Sequence, residues 1–184
     1  MSHATDIRIV DARYRTERIA YRTPIKFGGR VVDDVRMAYV DLTVETHGGA
    51  RADGSGSMPL GNVWAWPTQV LSGDETLDAM DRLAADLVMR AAELDVYGHA
   101  LDLTRALATD HESAAGEAAS GLAEPMPVLA QLVSASPLEA AIHDAYGKVH
   151  GENSYNVLGP AFANHDLAHY LTPEFAGEYL DRYT

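Results

Sequence analysis

The first third of the chain has the hydrophobic spacing of β-strands. Within residues 35–46 apolar residues alternate with polar ones, which is the period of a half-buried strand. The positions that share one face are Ala38, Val40, Leu42 and Val44. Residues 6–22 are rich in β-branched and aromatic residues, and residues 50–57 follow the tight-turn pair at 48–49, so both predict strands. Together these segments predict a three-stranded antiparallel meander.

The rest of the chain has helical spacing. Ser72 and Glu75 have the spacing of a capping box, and the apolar residues after them recur at three- and four-residue steps. This pattern predicts a helix over 74–95, and a second helix is expected over 97–108. Residues 109–124 are small, polar and weakly periodic, which indicates a surface connection.

A further helix is predicted over residues 136–151. Ser136 is expected at the N-cap, Pro137 at the first helical position and Glu139 in the capping box, while Gly151 ends the helix. A short helix near Pro127 precedes it, and Thr172-Pro173 opens a last one. Strands followed by helices predict the α+β class, with a sheet-plus-helix domain at 1–135 and a helical segment at 136–184.

Two connections are longer than tight hairpins require. Tight hairpins use two to five residues, whereas TPIKFGGRVVDD (residues 23–34) separates two predicted strands. GSGSMPLGNVWAWP (residues 54–67) follows the second hairpin and contains both tryptophans of the chain. Both connections have the composition of loops that cover another surface.

Composition and charge exclude several classes of function. The chain has 184 residues, 47% of them hydrophobic, which is enough for one packed domain. It has no cysteine, so disulfides and thiolate chemistry are excluded. The 14 basic and 27 acidic residues give a net charge of −13, which disfavours nucleic-acid partners. No membrane span and no secretory signal are recognised, and a cytoplasmic location is expected.

The order of elements and several motifs resemble the enolase superfamily. The helix reads P-x-x-x-A-x-x-D-x-x-G-K-x-x-G, followed by a Leu-Gly pair. Its residues are Pro137, Ala141, Asp144, Gly147, Lys148, Gly151, Leu158 and Gly159. YRTPIKFGG and GSGSMP resemble two loop regions of the N-terminal capping domain in the mandelate racemase and muconate lactonizing branch. Residues 6–159 carry the resemblance, and Ser57 departs from a common Gly-x-Gly-Glu pattern.

The resemblance implies a role for both long connections. In that family two cap loops close over the mouth of a (β/α) barrel, exclude water and select the substrate. The implied substrate-binding residues are Ile25, Lys26, Phe27, Met58, Trp64 and Trp66. Lys26 would meet a substrate carboxylate, with an ordinary solvated lysine as the alternative. For the tryptophans, packing of the loop onto its own sheet is an equally open interpretation.

The resemblance also implies that the catalytic groups lie elsewhere. The family removes the proton next to a carboxylate, with Mg²⁺ stabilising the product anion, and its metal ligands and bases lie in the barrel. These groups have no counterpart here, so the chain alone is expected to have no catalytic residue, no metal ligand and no turnover. We consider, in this order, a fragment of a longer enzyme, a subunit of a split enzyme, and a free-standing cap-like protein.

Two alternatives come from the residues themselves. His165 and His169 are spaced as in H-E-x-x-H, so on a helix they could hold one metal ion in a small hydrolase, provided a third ligand and a cleft exist. A solvated histidine pair is the competing interpretation. The second alternative is an interaction module whose apolar surface is buried by a barrel-containing partner or by a homo-oligomer.

Overall fold

Three strands form a single antiparallel sheet in the order β1-β2-β3. The structure is a computed structural model that describes residues 3–27 and 29–184. Strand β1 spans Ile7–Phe27, β2 spans Arg30–Thr46 and β3 spans Arg51–Pro59. Helices follow the sheet, which confirms the predicted α+β class. The four predicted inward residues of β2 are buried, as the alternating pattern requires.

Strands β1 and β2 continue past the sheet as a two-stranded ribbon. The prediction of a loop over residues 23–34 was therefore wrong, because 23–27 and 30–34 are strand. Ala20 pairs with Asp34 and Ile25 with Val32, so residues 21–24 bulge opposite residue 33. Apolar and β-branched residues near the tip favour strand pairing. Gly29 has a φ of +81° at the turn, and Gly28 lies outside the described residues.

Six α-helices occur in the described part of the chain. They are α1 (Asn62–Ala65), α2 (Gly73–Glu93), α3 (Ala100–Ala108), α4 (His111–Ala118), α5 (Val128–His150) and α6 (Leu167–Tyr170). Short 3₁₀ turns cover Ser154–Val157, Pro173–Phe175 and Leu180–Arg182. None of these helices is long and apolar enough to cross a bilayer. The sequence predicted one helix beginning at Thr172-Pro173, whereas the structure has two separate 3₁₀ turns there, Pro173–Phe175 and Leu180–Arg182.

The N-terminus of α2 has the predicted capping box. The Ser72 hydroxyl accepts the N–H of Glu75 at 3.2 Å, and the Glu75 carboxylate accepts the N–H of Ser72 at 2.8 Å. Helix α4, in contrast, was predicted to be a surface connection, and that prediction was wrong. Ala114, Ala115 and Ala118 of α4 are buried against the core, although alanine gives little periodic signal in the sequence.

Helix α5 is continuous through the position where a helix start was predicted. The Ser136 hydroxyl donates to the carbonyl of Leu132 at 2.7 Å and caps nothing. Pro137 lies inside the helix and is buried. The predicted helix start was therefore wrong, because the apolar residues before Pro137 pack and extend the helix backwards to Val128. The predicted division between residues 135 and 136 falls inside this helix.

The glycines of β3 allow α5 to approach the sheet closely. A methyl group on Gly54 would lie 2.2 Å from the carbonyl oxygen of Ala141, and one on Gly56 would lie 2.0 Å from that of Pro137. Two strand residues rise about 6.8 Å and four helix residues about 6 Å. The two contacts therefore match in spacing, and α5 runs antiparallel along β3. Only a strand without side chains at these positions fits there.

The rest of the helix signature strengthens the same contact. Asp144 accepts the N–H of Ser55 on the free edge of β3 at 2.9 Å, and it pairs with Lys148 at 2.6 Å. A methyl group on Gly147 would lie 2.8 Å from the carbonyl oxygen of Glu152. The absence of a side chain at Gly147 therefore leaves room for the residues that follow α5 and pack back against it. Gly151 ends α5 with a φ of +67°, as predicted.

Candidate functional site

The tip of the ribbon lies beside the connection that follows β3. Arg30 donates to the carbonyl oxygen of Thr68 at 2.9 Å and to that of Leu71 at 3.5 Å. The Thr68 hydroxyl in turn accepts the N–H groups of Val70 and Leu71. One arginine side chain thus joins the ribbon tip to Thr68 and Leu71, which lie just beyond the second of the two connections singled out in the sequence. The sequence contained no signal for Arg30, because it pairs with carbonyl groups 38 and 41 residues away.

Large apolar side chains are exposed at this end of the molecule. The exposed fractions are 52% for Ile25, 49% for Phe27 and 41% for Trp64. Val31 at the ribbon tip is exposed as well, but on the opposite face of the ribbon from Ile25 and Phe27. Exposed large apolar side chains are typical of a surface that another molecule or domain covers.

Lys26 projects from the other face of the ribbon. It pairs with Val31, whereas Ile25 pairs with Val32 and Phe27 with Arg30. Because successive strand residues point to opposite faces, Lys26 does not share a surface with Ile25 and Phe27 at the tip. Its role as the group that meets a carboxylate stays a prediction.

The second predicted loop is partly strand and partly helix. Residues 54–59 belong to β3, and α1 follows at Asn62–Ala65. Asn62 ties α1 to α2 by donating to the carbonyl of Gly73 at 2.7 Å and to the hydroxyl of Thr76 at 2.9 Å. Trp66 is 2% exposed, so it packs the connection onto the core and offers no surface to a ligand.

Met58 and Trp64 occupy different environments in this connection. Met58 is half-buried and packs against the hydrophobic core. Trp64 stacks its indole over Gly61, where an added methyl group would lie 2.0 Å from Nε1. Of the three residues predicted here, Trp64 therefore presents the largest surface to a ligand. Contact of Met58 and Trp64 with a substrate stays a prediction.

A second group of polar side chains lies between α3 and the C-terminal segment around α6. His165 and His169 stack with ring centroids 4.0 Å apart. Asp102 of α3 joins them, and one possible ligand atom from each residue lies within 4.8 Å of the others. The two histidines do not share a helix, because Asp166 is the N-cap of α6 and His165 precedes it.

Hydrogen bonds fix the Asp102 carboxylate. It accepts the Tyr170 hydroxyl at 2.5 Å, the Asn164 amide at 3.0 Å and the backbone N–H of His99 at 3.2 Å. Burial alone would raise the pKa of Asp102, but these donors outweigh it and hold that pKa below its ordinary value. Burial and the bond to Asp102 also raise the pKa of Tyr170. The carboxylate is therefore ionised and held in one orientation.

His143 and His150 of α5 are both half-buried. The Nε2 atom of His150 lies 2.9 Å from the carbonyl oxygen of Thr5, and its ring contacts Tyr146. His143 lines a second cleft with Glu139 and is half-buried. Burial lowers the pKa of His143 to about 4 and raises the pKa of Glu139.

The Mg²⁺ ion implied by the family resemblance does not fit the described residues. Mg²⁺ takes oxygen ligands in octahedral geometry. The cluster of Asp102, His165 and His169 offers two imidazole nitrogens and one carboxylate instead. No other group of three metal-ligating side chains converges in residues 3–27 and 29–184.

Comparison with solved structures finds this fold in enolase-superfamily enzymes. An enolase from Bradyrhizobium, complexed with magnesium and mandelic acid, aligns with a TM-score of 0.51 and 17% identity over 84% of this chain and 35% of that chain. A dipeptide epimerase from Methylococcus capsulatus, complexed with Mg and L-Arg-D-Lys, aligns with a TM-score of 0.46 and 19% identity over 86% and 36% of the two chains.

A third similar structure is the L-talarate/galactarate dehydratase from Salmonella typhimurium LT2. It aligns with a TM-score of 0.46 and 16% identity over 88% of this chain and 35% of that one. No family model matches the sequence, and no curated protein matches it. The chain thus spans about a third of the length of the enzymes whose structures it resembles. The fold of the enolase-like N-terminal domain, predicted from the sequence, is confirmed.

Proposed function

We propose that the chain is the N-terminal capping domain of an enolase-superfamily enzyme and selects the substrate for a (β/α) barrel contributed by other polypeptide. The observation that carries the proposal is the Arg30 bridge, which holds the ribbon tip against the connection after β3. A cap needs two such segments at one end of the domain, because both must reach the same barrel mouth. The fold likeness supports the same assignment.

The exposed side chains suggest how the cap would act. Ile25, Phe27 and Trp64 form apolar surface that would cover the uncharged part of a substrate and exclude water from it. Lys26, on the other ribbon face, would reach the substrate carboxylate only if the ribbon twists on closing. The reaction of the whole enzyme would be removal of the proton next to a carboxylate, leading to racemisation, dehydration or cycloisomerisation. Mg²⁺ and the bases would belong to the barrel.

The first turns of α5 offer a surface on which a barrel would dock. Val128 is 68% exposed, Leu129 47% and Leu132 50%, and they lie within two turns of one helix. Exposed aliphatic side chains at this spacing are typical of an unpartnered helix face. Whether the barrel is a continuation of this chain or a separate subunit, this face is available to it. Self-association through the same face is the competing outcome.

The proposal is tested first on the gene and then on the assembled enzyme. The nucleotide sequence beyond codon 184, or a neighbouring gene, should encode a barrel with a lysine base and three spaced acids. With the barrel present, Arg30→Ala should change the ratio of kcat/KM values among carboxylate substrates about tenfold, which corresponds to about 1.4 kcal/mol. Arg13→Ala is the matched control, since Arg13 is 80% exposed and pairs only with Asp11 among the ion pairs found in the described residues.

Two outcomes would count against the proposal. One is the absence of any barrel polypeptide, together with a self-associated chain in solution. The other is an assembled enzyme in which Arg30→Ala, Phe27→Ala and Trp64→Ala all leave the order of preferred substrates unchanged.

A further inference from the structure

A cleft between α3 and the C-terminal segment collects metal-binding side chains outside the proposed cap surface. The cleft is lined by Asp6, Asp102, Arg105, Asn164, His165 and His169, among others. Asp102 comes from α3, and the histidines come from the segment around α6. The chain thus brings together residues that are far apart in sequence, which a random solvated histidine pair would not require.

We propose that Asp102, His165 and His169 form a binding site for a divalent transition-metal ion of the zinc type. Their ligand atoms lie within 4.8 Å of one another. In a tetrahedral site with bonds of about 2.0–2.2 Å, neighbouring ligand atoms are about 3.4 Å apart. Rotation of the two imidazole side chains closes this difference, because His169 is exposed and His165 half-buried.

The donor set decides which metal the site takes. Two imidazole nitrogens and one carboxylate oxygen suit Zn²⁺ and its neighbours Co²⁺, Ni²⁺ and Cu²⁺, whereas Mg²⁺ and Ca²⁺ require oxygen ligands. This site is therefore distinct in chemistry from the Mg²⁺ centre implied for the barrel. It does not depend on the proposed capping function.

Surrounding groups prepare the carboxylate for a metal. An ionised carboxylate has about four lone-pair sites. Three are taken by the donors from Tyr170, Asn164 and His99, which leaves one site free on Oδ1, the oxygen that Tyr170 also contacts. Outer-shell donors of this kind orient metal-ligating carboxylates.

A second observation points to a ligand at the same place. The side-chain oxygen of Asn164 is buried, and within the described chain no hydrogen-bond donor reaches it. Its amide nitrogen donates to both Asp6 and Asp102, so the amide orientation is fixed. Buried acceptors are almost always satisfied. A water molecule on the fourth position of the metal would supply the missing donor.

The site would be structural rather than hydrolytic. Asp166 occupies the place of the glutamate base in H-E-x-x-H, but its carboxylate accepts the N–H of Gly177 at 2.7 Å. That bond holds the backbone of the C-terminal segment and withdraws Asp166 from the cleft. A metal ion would instead fasten residues 165–169 to α3 and stabilise the fold.

The test uses the chain freed of metal with a chelator and then titrated with zinc chloride alone. We expect one equivalent of zinc to bind by calorimetry and Co²⁺ to give the visible spectrum of a tetrahedral site. At a free zinc concentration of 100 times Kd, the thermal midpoint should rise by about 5–10 °C. Magnesium chloride at the same concentration should give no such shift.

Substitutions then assign the ligands. His165→Ala and His169→Ala should each weaken zinc binding about 100-fold and abolish the thermal shift. His47→Ala, at an exposed histidine outside the cluster, should leave both unchanged. Tyr170→Phe should weaken binding about tenfold, because it removes a donor that orients Asp102. Asp102 also caps α3 through the N–H of His99, so replacing Asp102 would disturb the helix as well as the metal site. The two histidine variants are therefore the ones that test the ligand assignment.

Three results would overturn the proposal. They are the absence of stoichiometric zinc binding, a thermal shift retained by the His165→Ala/His169→Ala double variant, and equal stabilisation by magnesium. Circular dichroism of each variant without metal would show that a lost shift is not a lost fold.

Discussion

Replacing Gly56 with alanine tests the contact between α5 and β3. The added methyl group would lie 2.0 Å from the carbonyl oxygen of Pro137 and 2.8 Å from the amide nitrogen of Ala141. Both atoms belong to the backbone of a helix, so no side chain can rotate away to make room. The helix or the strand must move.

The size of the movement sets the expected cost. A methyl carbon needs a separation of about 3.2 Å from an oxygen atom, so α5 must retreat by about 1.2 Å along this contact. Overpacking of a core by a single methyl or methylene group costs about 1–3 kcal/mol. Because backbone meets backbone here, we expect the upper end, a loss of about 3 kcal/mol in the free energy of unfolding. That loss corresponds to a fall of about 6–12 °C in Tm.

Urea unfolding followed by circular dichroism measures this loss directly. Gly116→Ala is the matched control, because Gly116 lies in α4 and an added methyl group there meets no atom within 4 Å. The control should be neutral or stabilising by about 0.5–1 kcal/mol, since alanine favours the helix. If Gly56→Ala costs less than about 0.5 kcal/mol, then α5 does not lie on β3 as described.

Three further predictions concern the N-cap of helix α2, an ion-pair network and a buried histidine that titrates. Ser72→Ala should destabilise the chain by about 1 kcal/mol in urea, because it removes the capping box of α2. Arg36→Met should cost about 1–2 kcal/mol in a thermal scan, since it leaves the half-buried Asp81 and its neighbour Asp78 without their cation. Burial lowers the pKa of His143 to about 4, whereas an unfolded histidine binds a proton near pH 6.5. Stability should therefore fall as pH falls from about 6.5 to 4, and His143→Gln should remove about 1–2 kcal/mol of that fall, while an unchanged pH profile would contradict the burial.

Elements with a strong period could be predicted from the sequence. The alternation in β2 and the stripe in α2 each gave the right type of element, because one face of each is buried against a single core. The ends of β1 and β2 were missed for a different reason. Glycine and proline near residues 24–29 indicate a loop, but strand pairing on both sides of the bulge at residues 21–24 satisfies the backbone and keeps it extended.

The start of α5 shows how a local signal can mislead. Ser136, Pro137 and Glu139 have the spacing of a helix N-terminus, yet they lie inside a helix. The buried residues before them, including Val133 and Ala130, favour continuing the helix. The backbone carbonyl of Pro137 packs against Gly56, on a strand more than 80 residues away in the sequence, so the local motif carries no sign of this contact.

The sequence pointed to only part of the proposed metal site. The spacing of His165 and His169 suggested two ligands, but the third, Asp102, is on another helix and has no motif around it. Contacts between residues so far apart in the sequence depend on the chain topology, so they could not be predicted from the sequence alone. The Arg30 bridge was missed for the same reason.

The residues that carry the resemblance to the enolase superfamily are packing residues. Pro137 and Ala141 lie against the glycines of β3. Asp144 accepts a hydrogen bond from the edge of that strand, and Gly147 leaves room for the residues that follow α5. None of them is exposed at the ribbon tip or beside Trp64. A sequence can therefore keep this signature, and with it the fold, while the surface that would contact a substrate changes freely. The resemblance therefore predicts the architecture and carries no information on a substrate, so the proposed role of Ile25, Phe27 and Trp64 has to be tested by experiment.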